Sequence, residues 1–204
     1  MKKLNKNIIL FLCLWNFTLC SEKQKDMSGE FNGNQCSTRD IEIRNYFKVK
    51  LGSNFKVDDY LDWEIVSDDE GKLDDKALEY TCCFPKLNTL IVSRSKDITD
   101  FGVKKFVECR LKNNNQRMYE INFQATSITN ESIKSLSQLS GIGTFYLDEN
   151  RINNDSISYF AKFKSIGQLS IVATDITEAG AEKLRKMKHI QGVDSEYHVP
   201  ANQE

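Results

Sequence analysis

A 24-residue spacing between apolar residues runs through the second half of the chain, from Met118 to Val193. Five apolar columns keep this spacing over three successive units. The columns are Ile128, Ile152 and Ile176; Ile133, Ile157 and Ala181; Leu136, Phe160 and Leu184; Leu139, Phe163 and Met187; and Ile142, Ile166 and Ile190. A fixed period of this length is typical of solenoids, in which each unit stacks on its neighbour to bury a face that it cannot bury alone.

Each unit is predicted to contain a strand, a turn and a short helix. In the unit 142–166, Phe145 and Leu147 alternate as in a half-buried strand. Asn153 then supplies the side chain of a helix N-cap, and apolar residues follow it at helical spacing. The N-cap residues of other units are Thr99, Thr129 and Thr177.

Two motifs accompany the period. The phrase L-x-x-L-x-L-x-x-N-x-L stands at 142–152, and I-T-D-x-G-V stands at 98–103 and, with changes, at 128–133 and 176–181. With these motifs the segment 60–193 resembles the leucine-rich repeat family in a bacterial variant. The resemblance implies an α/β solenoid of about five repeats, with a parallel sheet on the concave face and short helices on the convex face. The motif's Asn column holds Ser95, Thr126, Asn150 and Thr174, whose hydroxyls are also able to bond the turn backbone.

The N-terminus has the composition of an export signal. Residues 1–20 combine three lysines with an apolar run of about 12 residues, which is too short to span a bilayer. Cys20 at the junction with a polar stretch resembles the lipidated cysteine of bacterial lipoproteins, although Leu19 stands where that pattern has a small residue. Ordinary signal cleavage near this point is the alternative. The polar residues 21–36 predict a flexible tether.

The remaining segments complete the predicted domain. Residues 37–59 are expected to form an N-terminal cap whose helix starts at Ser37 or Thr38. The leucine-rich repeat domain covers 60–194, and its first strand has Tyr60, Trp63 and Ile65 facing inward. The second repeat is longer than the others, and we place its extra residues in a surface loop within 110–117. Residues 195–204 are predicted to be a C-terminal tail.

Four cysteines remain after the export signal and Cys20: Cys36, Cys82, Cys83 and Cys109. In an exported chain they are expected to form disulfides, and excluding a bond between adjacent cysteines leaves two pairings. Either pairing ties the N-terminal cap to the first repeat and the first repeat to the second. Buried free thiols are the alternative. The spacing does not match a zinc site.

The sequence contains no nucleophile elbow, phosphate loop, zinc-protease motif or EF-hand loop. Carboxylates cluster at Asp68–Glu70 and Asp74–Asp75, but their spacing favours a solvated turn over a calcium site. Removing the three signal lysines lowers the formal net charge from −1 by three, to −4, so the composition gives no reason to bind nucleic acid. We therefore expect no enzymatic activity, no cofactor and no bound metal.

The concave face is the predicted binding surface, because side chains that alternate with the buried ones point outward. Tyr146 is the favoured anchor, since a Tyr combines contact area with a polar tip. The predicted residues are Asp62, Glu64, Val66, Thr89, Ile91, Ser93, Glu120, Asn122, Gln124, Thr144, Tyr146, Asp148, Gln168, Ser170 and Val172.

Together these features predict a non-enzymatic, monomeric, membrane-anchored lipoprotein that binds a protein partner, as in adhesion or host interaction. The alternative is a structural or scaffold lipoprotein of the bacterial envelope. The expected location is the outer membrane or cell surface, or alternatively the periplasm or the medium.

Overall fold

The computed structural model describes residues 33–52 and 57–195. Apart from the start of the first helix, these residues belong to the unit Cys36–Glu204. Helices and strands alternate along the described part of the chain. The helices are α1 (Gly33–Thr38), α2 (Asp40–Leu51), α3 (Asp75–Tyr80), α4 (Asp100–Lys112), α5 (Asn130–Leu136), α6 (Ile157–Phe160) and α7 (Glu178–Arg185). The strands are β1 (Ile65–Asp68), β2 (Thr89–Val92), β3 (Arg117–Asn122), β4 (Gly141–Tyr146), β5 (Ile166–Ser170) and β6 (Ile190–Asp194). Short 3₁₀ segments cover Val57–Asp62, Thr81–Cys83 and Asn154–Ser156.

The six strands form one parallel sheet in chain order. The 24-residue period is the pairing register, because Ile142 lies opposite Ile166 and Ile166 lies opposite Ile190. Each crossover between neighbouring strands contains a helix, as parallel pairing requires. The predicted α/β class, with repeated units and a parallel sheet, is therefore confirmed.

The hydrophobic core lies between the sheet and the helices. Leu90, Ile121, Phe145 and Leu169 lie opposite one another on successive strands, and all four are completely buried. The helices bury their own columns, including Ile133, Leu136, Phe160, Ala181 and Leu184. Burying an aliphatic or aromatic side chain of this kind contributes roughly 1.5–3 kcal/mol, so the aligned columns are the main source of stability.

The turn after each strand is held by one buried polar side chain. Asn150 donates its amide to the carbonyls of Phe123, at 2.7 Å, and Leu147, at 2.9 Å. Its carbonyl oxygen accepts the Thr126 backbone N–H at 3.1 Å. In the neighbouring unit the Thr174 hydroxyl donates to the Ile171 carbonyl at 2.8 Å. The Asn150 amide bonds two units at once, whereas the Thr174 hydroxyl bonds its own turn and the Ser95 hydroxyl donates to the Leu73 carbonyl of the preceding unit.

The helix starts form a second ladder between units. Each of the four predicted N-cap side chains accepts a backbone N–H from the first helical turn. The Thr99 hydroxyl, for example, accepts the Phe101 N–H at 3.2 Å. The first helical residue then reaches the next unit's cap. The Asp75 carboxylate accepts the Thr99 N–H at 2.7 Å and the Thr99 hydroxyl at 2.6 Å. Asp100 accepts the same two groups of Thr129. Neighbouring helices are therefore fixed at their N-terminal ends.

The N-terminal cap differs in detail from the prediction. Ser37 and Thr38 lie within α1, and the residue that precedes α2 is Arg39, whose side chain makes no cap hydrogen bond. Helix α1 begins at Gly33, inside the segment predicted as a tether. The export signal, the rest of the tether and all but the first residue of the predicted tail lie outside the described residues.

Helix α2 covers the first unit with an aromatic cluster. The Phe47 ring lies 5.6 Å from the Trp63 ring and 5.5 Å from the Phe84 ring. Tyr46 and Tyr80 meet edge to face at 5.0 Å. Aromatic pairs in these geometries add to the stabilisation from burial alone. These contacts place α2 against the first unit.

Polar contacts surround the aromatic cluster. The Glu42 carboxylate accepts the Tyr80 hydroxyl at 2.5 Å and pairs with Lys76 at 3.0 Å and with Arg39 at 3.1 Å. The hydrogen bond from Tyr80, followed by those from Arg39 and Lys76, lowers the pKa of Glu42 to about 2. Arg39 also pairs with Glu79 at 2.6 Å. These contacts make attachment of α2 dependent on an ionised Glu42.

Two disulfides join the N-terminal elements. Cys36 is bonded to Cys83 and Cys82 to Cys109, which is one of the two pairings that the sequence left open. The first bond connects α1 to the 3₁₀ turn after α3, and the second connects that turn to α4. The alternative prediction of buried free thiols is therefore wrong.

The extra residues of the second repeat extend a helix instead of forming only a loop. Helix α4 has 13 residues and ends at Lys112, and β3 begins at Arg117, so the loop is limited to 113–116. The added turn carries Cys109, which forms the disulfide, and Arg110, whose side chain is buried and donates to the Leu87 carbonyl at 2.5 Å. Burial lowers the pKa of Arg110 to about 10. The three-asparagine segment that follows is anchored, since Asn115 donates to the Pro85 carbonyl at 2.9 Å.

Candidate interaction surface

One face of the sheet is left partly exposed, and we call it the open face. Its side chains form two rows across all six strands, and a third row continues beyond the strand ends. The first row is Ile65, Thr89, Glu120, Thr144, Gln168 and Gly192; the second is Ser67, Ile91, Asn122, Tyr146, Ser170 and Asp194. The third consists of Ser93, Gln124, Asp148 and Val172, each following a residue of the buried face.

In β1 the residues that point outward and inward are shifted by one position from the prediction. Val66 is completely buried and lies opposite Leu90, whereas Ile65 is 56% exposed. The predicted outward positions Asp62 and Glu64 precede β1, and the open face has Ile65 and Ser67 in their place. Asp62 ends the 3₁₀ segment, where it pairs with Lys86 at 2.5 Å.

Asp68 is the cause of this shift. It occupies an inward position of β1 and is 5% exposed, yet its carboxylate accepts the backbone N–H groups of Lys72 at 2.6 Å and Leu73 at 2.7 Å. A buried carboxylate is tolerated where backbone donors satisfy it. The turn after β1 is thus built around an acid in a column that the other units fill with an apolar residue.

The carboxylate cluster of the sequence is used in building the fold. Asp74 caps α3 through the Lys76 N–H at 2.9 Å and accepts the Tyr46 hydroxyl at 2.7 Å. Asp75 holds the cap of the next helix. Within 33–52 and 57–195, no group of three or more His, Cys, Asp or Glu residues is arranged to hold a metal ion.

Besides Val66, three of the predicted binding residues are less accessible than expected. Thr89, Ser93 and Ser170 are buried, with 6%, 5% and 6% of their surface exposed. Strands lie only about 4.8 Å apart, so longer neighbours cover short side chains in the same row. Ser170 is also bonded to the next row, because its hydroxyl donates to the Asp148 carboxylate at 2.6 Å. These three side chains pack within the face and leave little surface for a partner to contact.

The accessible part of the open face is a polar surface with an aromatic residue near its centre. Glu120, Asn122, Gln124, Thr144, Tyr146, Asp148, Gln168 and Ile91 are half-buried, and Val172 is 38% exposed. Several are held by neighbours. Gln168 donates to Asp194 at 2.8 Å, and Gln124 donates to Glu149 at 2.8 Å. Asp148 also accepts the Val172 N–H at 2.7 Å.

Glu120 and Tyr146 differ from these residues. Among the described residues, neither side chain makes a hydrogen bond or ion pair. Both belong to regular strands in the middle of the sheet, so their backbone positions are fixed by pairing on both sides. A partner that contacts them meets polar and aromatic groups without first breaking an internal bond.

Comparisons with known proteins give no family assignment: no protein-family model matches the chain, and no curated protein matches it either. Over the described stretches of chain, no helix has the length and apolar character needed to cross a membrane.

Proposed function

We propose that the chain is a leucine-rich repeat module that binds a protein partner through the open face and has no catalytic role of its own. In this proposal it is an exported lipoprotein, held at a bacterial membrane by acyl chains on Cys20. The open face then corresponds to the concave surface of the repeat family. Adhesion or contact with a host protein is the kind of interaction that such a module serves.

One observation supports the binding role above all others. The sheet presents two complete rows of side chains on a face that stays partly exposed, while its opposite face is buried under the helices. Rigid, paired strands hold these side chains in fixed positions, so a partner binds without an ordering cost on this side. Protein-binding surfaces combine such preorganisation with aromatic anchors, and Tyr146 fits that description.

A capture experiment tests the binding role. Cross-linking and capture of partners with the wild-type chain is compared with capture by a Glu120→Lys/Tyr146→Ala variant. Neither side chain bonds another described residue, so both substitutions are expected to leave the fold intact. Asp148 is not changed, because its carboxylate holds Ser170 and Val172. We expect the variant to lose the partners that the wild type captures.

A matched control changes a glutamate and an aromatic residue on a helix instead of on the sheet. Glu108 and Phe101 lie on α4 and are well exposed, with the Glu108 side chain at 51% and Phe101 at 64%. A Glu108→Lys/Phe101→Ala variant has the same net charge and the same loss of aromatic area. If it loses the partners while the open-face variant keeps them, the binding role of the open face is wrong.

The anchor needs a separate test. Acyl chains on one cysteine add about 0.8 kcal/mol of membrane affinity per buried methylene, so a lipidated chain partitions into detergent. We expect the full-length protein to enter the detergent phase and a Cys20→Ala variant to remain in the aqueous phase. Equal partitioning of both would contradict lipidation at Cys20.

A further inference from the structure

The charges on the open face are all of one sign, which limits the kind of protein partner that suits the proposed binding role. The ionisable residues in its three rows are Glu120, Asp148 and Asp194, and none of the rows contains a Lys or Arg. The chain as a whole is nearly balanced, with 28 basic and 29 acidic residues. Its described lysines therefore lie elsewhere, and the open face is locally negative.

The centre of the face combines this charge with an aromatic ring. Glu120 on β3 lies opposite Thr144 on β4, and Tyr146 follows two residues later on β4. Strand spacing of about 4.8 Å and a rise of about 6.6 Å over two residues place the Cα atoms of Glu120 and Tyr146 roughly 8 Å apart. Asp148 lies two residues beyond Tyr146. The Tyr146 side chain is therefore flanked by a carboxylate on each side.

The two carboxylates differ in their hydrogen bonding. Asp148 is oriented by its bonds to the Ser170 hydroxyl and the Val172 N–H. Glu120 is half-buried and has no bonding partner within the described residues. A carboxylate that has lost part of its hydration gains more from a cation than a fully exposed one does.

Two other surface aromatic residues, Phe101 and Tyr159, have a lysine over the ring, whereas Tyr119, which is 71% exposed, has none among the described residues. Lys105 lies 5.7 Å from the Phe101 ring, and Lys134 and Lys162 lie 5.9 Å and 5.3 Å from the Tyr159 ring. In the described structure no Lys or Arg lies over the Tyr146 ring. A cation over an aromatic face is worth roughly 0.5–2 kcal/mol, depending on exposure. Tyr146 is thus a ring on a negative surface where no described cation of the chain occupies its face.

We infer that the protein partner places a Lys or Arg side chain over Tyr146, between Glu120 and Asp148, as part of a cationic segment lying across the open face. Arg fits this site especially well, because its planar group stacks on a ring while its edge bonds carboxylates. The Asn122 amide nitrogen and the Gln168 amide oxygen, which bond no other described residue, then pair with the segment's backbone. This inference rests on the proposed binding role of the open face.

A random peptide library displayed on phage tests it. Peptides are selected against the full-length chain in detergent and then ranked by affinity. Loss of binding to a Thr144→Trp variant, in which a neutral bulky side chain blocks the open face, identifies peptides that bind there. We expect these peptides to be enriched in Lys and Arg and to bind more weakly as salt concentration rises.

Two substitutions then locate the contact. Glu120→Gln preserves size and polarity but removes the charge, and we expect it to weaken a selected peptide roughly tenfold, the scale of one charge-assisted hydrogen bond. Replacing the peptide's central Lys or Arg by Gln should cause a similar loss, with little further loss when both changes are combined. Glu108→Gln on α4 is the matched control and should have no effect. Circular dichroism checks that each variant is folded.

The outcomes separate this inference from the proposed function. Peptides that are blocked by Thr144→Trp but contain no required Lys or Arg would overturn the cationic partner and leave the binding role intact. Peptides that still bind the Thr144→Trp variant, or a selection that yields none, would overturn both.

Discussion

At the scale of single residues, the side chain that begins the helical segment of one unit limits which residue fits at the third position of the helix in the next unit. Gly102 occupies that position in α4, and a Cβ atom there would overlap the Asp75 carboxylate. Gly180 has the same relation to Asn154. In α5 the position holds Ser132, whose N–H donates to Asp100 at 3.1 Å. The contact between units thus leaves no room for a side chain at Gly102 and Gly180, whereas the Ser132 hydroxyl bonds the carboxylate of the preceding unit.

This contact reverses the usual effect of replacing a helical glycine. Gly→Ala in a helix normally stabilises by about 1 kcal/mol. At Gly102 we expect Ala to destabilise by about 1–3 kcal/mol, because the methyl group displaces Asp75 from Thr99. Urea unfolding gives the free energies, and a double-mutant cycle with Asp75→Ala tests the cause. If Gly102→Ala were equally harmful without the Asp75 carboxylate, the proposed overlap would not be the reason.

At the scale of elements, attachment of α2 depends on ionised carboxylates. The Tyr80, Arg39 and Lys76 contacts lower the pKa of Glu42 to about 2, and the hydrogen bond from Arg44 lowers the pKa of Asp40. Burial alone would raise the pKa of Asp74, but Lys50 and Tyr46 lower it. In the unfolded chain these groups titrate near their ordinary values, about 4. Each carboxylate therefore binds a proton more readily in the unfolded state.

The sign of the pH dependence follows from this difference. The stabilisation is complete above about pH 5 and is lost as the pH falls toward the folded-state pKa of Glu42, about 2. We expect the free energy of unfolding, measured in urea between pH 6 and pH 2, to fall less steeply for Glu42→Gln than for the wild type. Glu131→Gln is a suitable comparison, since Glu131 is exposed and pairs only with Lys134. Identical slopes for all three proteins would contradict the assigned role of Glu42.

Periodicity predicted the elements wherever each position of a unit holds the expected kind of residue. The strands and caps from β3 onward follow it, because most residues of the apolar columns there are buried, with Ile157 and Met187 half-buried. It failed at β1, where Ile65 suggested one phase and Asp68 imposes the other by accepting backbone N–H groups. It was only partly right at α4, because the helix continues to Lys112 before the turn that holds the three asparagines. At β1 the partners of Asp68 are only four and five residues away, so the phase depends on local turn bonding that a 24-residue period does not encode.

For the open face, alternation alone was sufficient to identify the rows from β2 to β5. What it did not give was accessibility, because the burial of Thr89, Ser93 and Ser170 depends on the length of side chains on adjacent strands. Nor did it distinguish Asp148, which is bonded to its neighbours, from Glu120, which is not. These differences arise only when the units are stacked.

At the scale of the whole molecule, the two ends of the sheet are protected differently. The β1 end is covered by α2 and its aromatic cluster, and it is joined by the disulfides Cys36–Cys83 and Cys82–Cys109. At the β6 end, the described contacts include the Arg185 to Ser195 hydrogen bond at 2.8 Å. In a stack of units, stability is a sum of each unit's own stability and its contacts with neighbours. Among the described residues the β6 end has fewer such contacts than the β1 end, and we expect it to open first.

Hydrogen exchange measured by mass spectrometry tests this asymmetry. We expect peptides covering α7 and β6 to exchange at a lower opening free energy than those covering β3 and β4, which have a neighbour on each side. Leu184→Ala, which removes a fully buried side chain of α7, should speed exchange in α7 and β6 far more than in β2. Reducing the disulfides, each worth about 2–4 kcal/mol, should instead speed exchange in α1 and α2 and leave β6 unchanged. These two treatments act on opposite ends only if the units open separately, so uniform acceleration over all six strands under either treatment would mean that the sheet unfolds as one cooperative block.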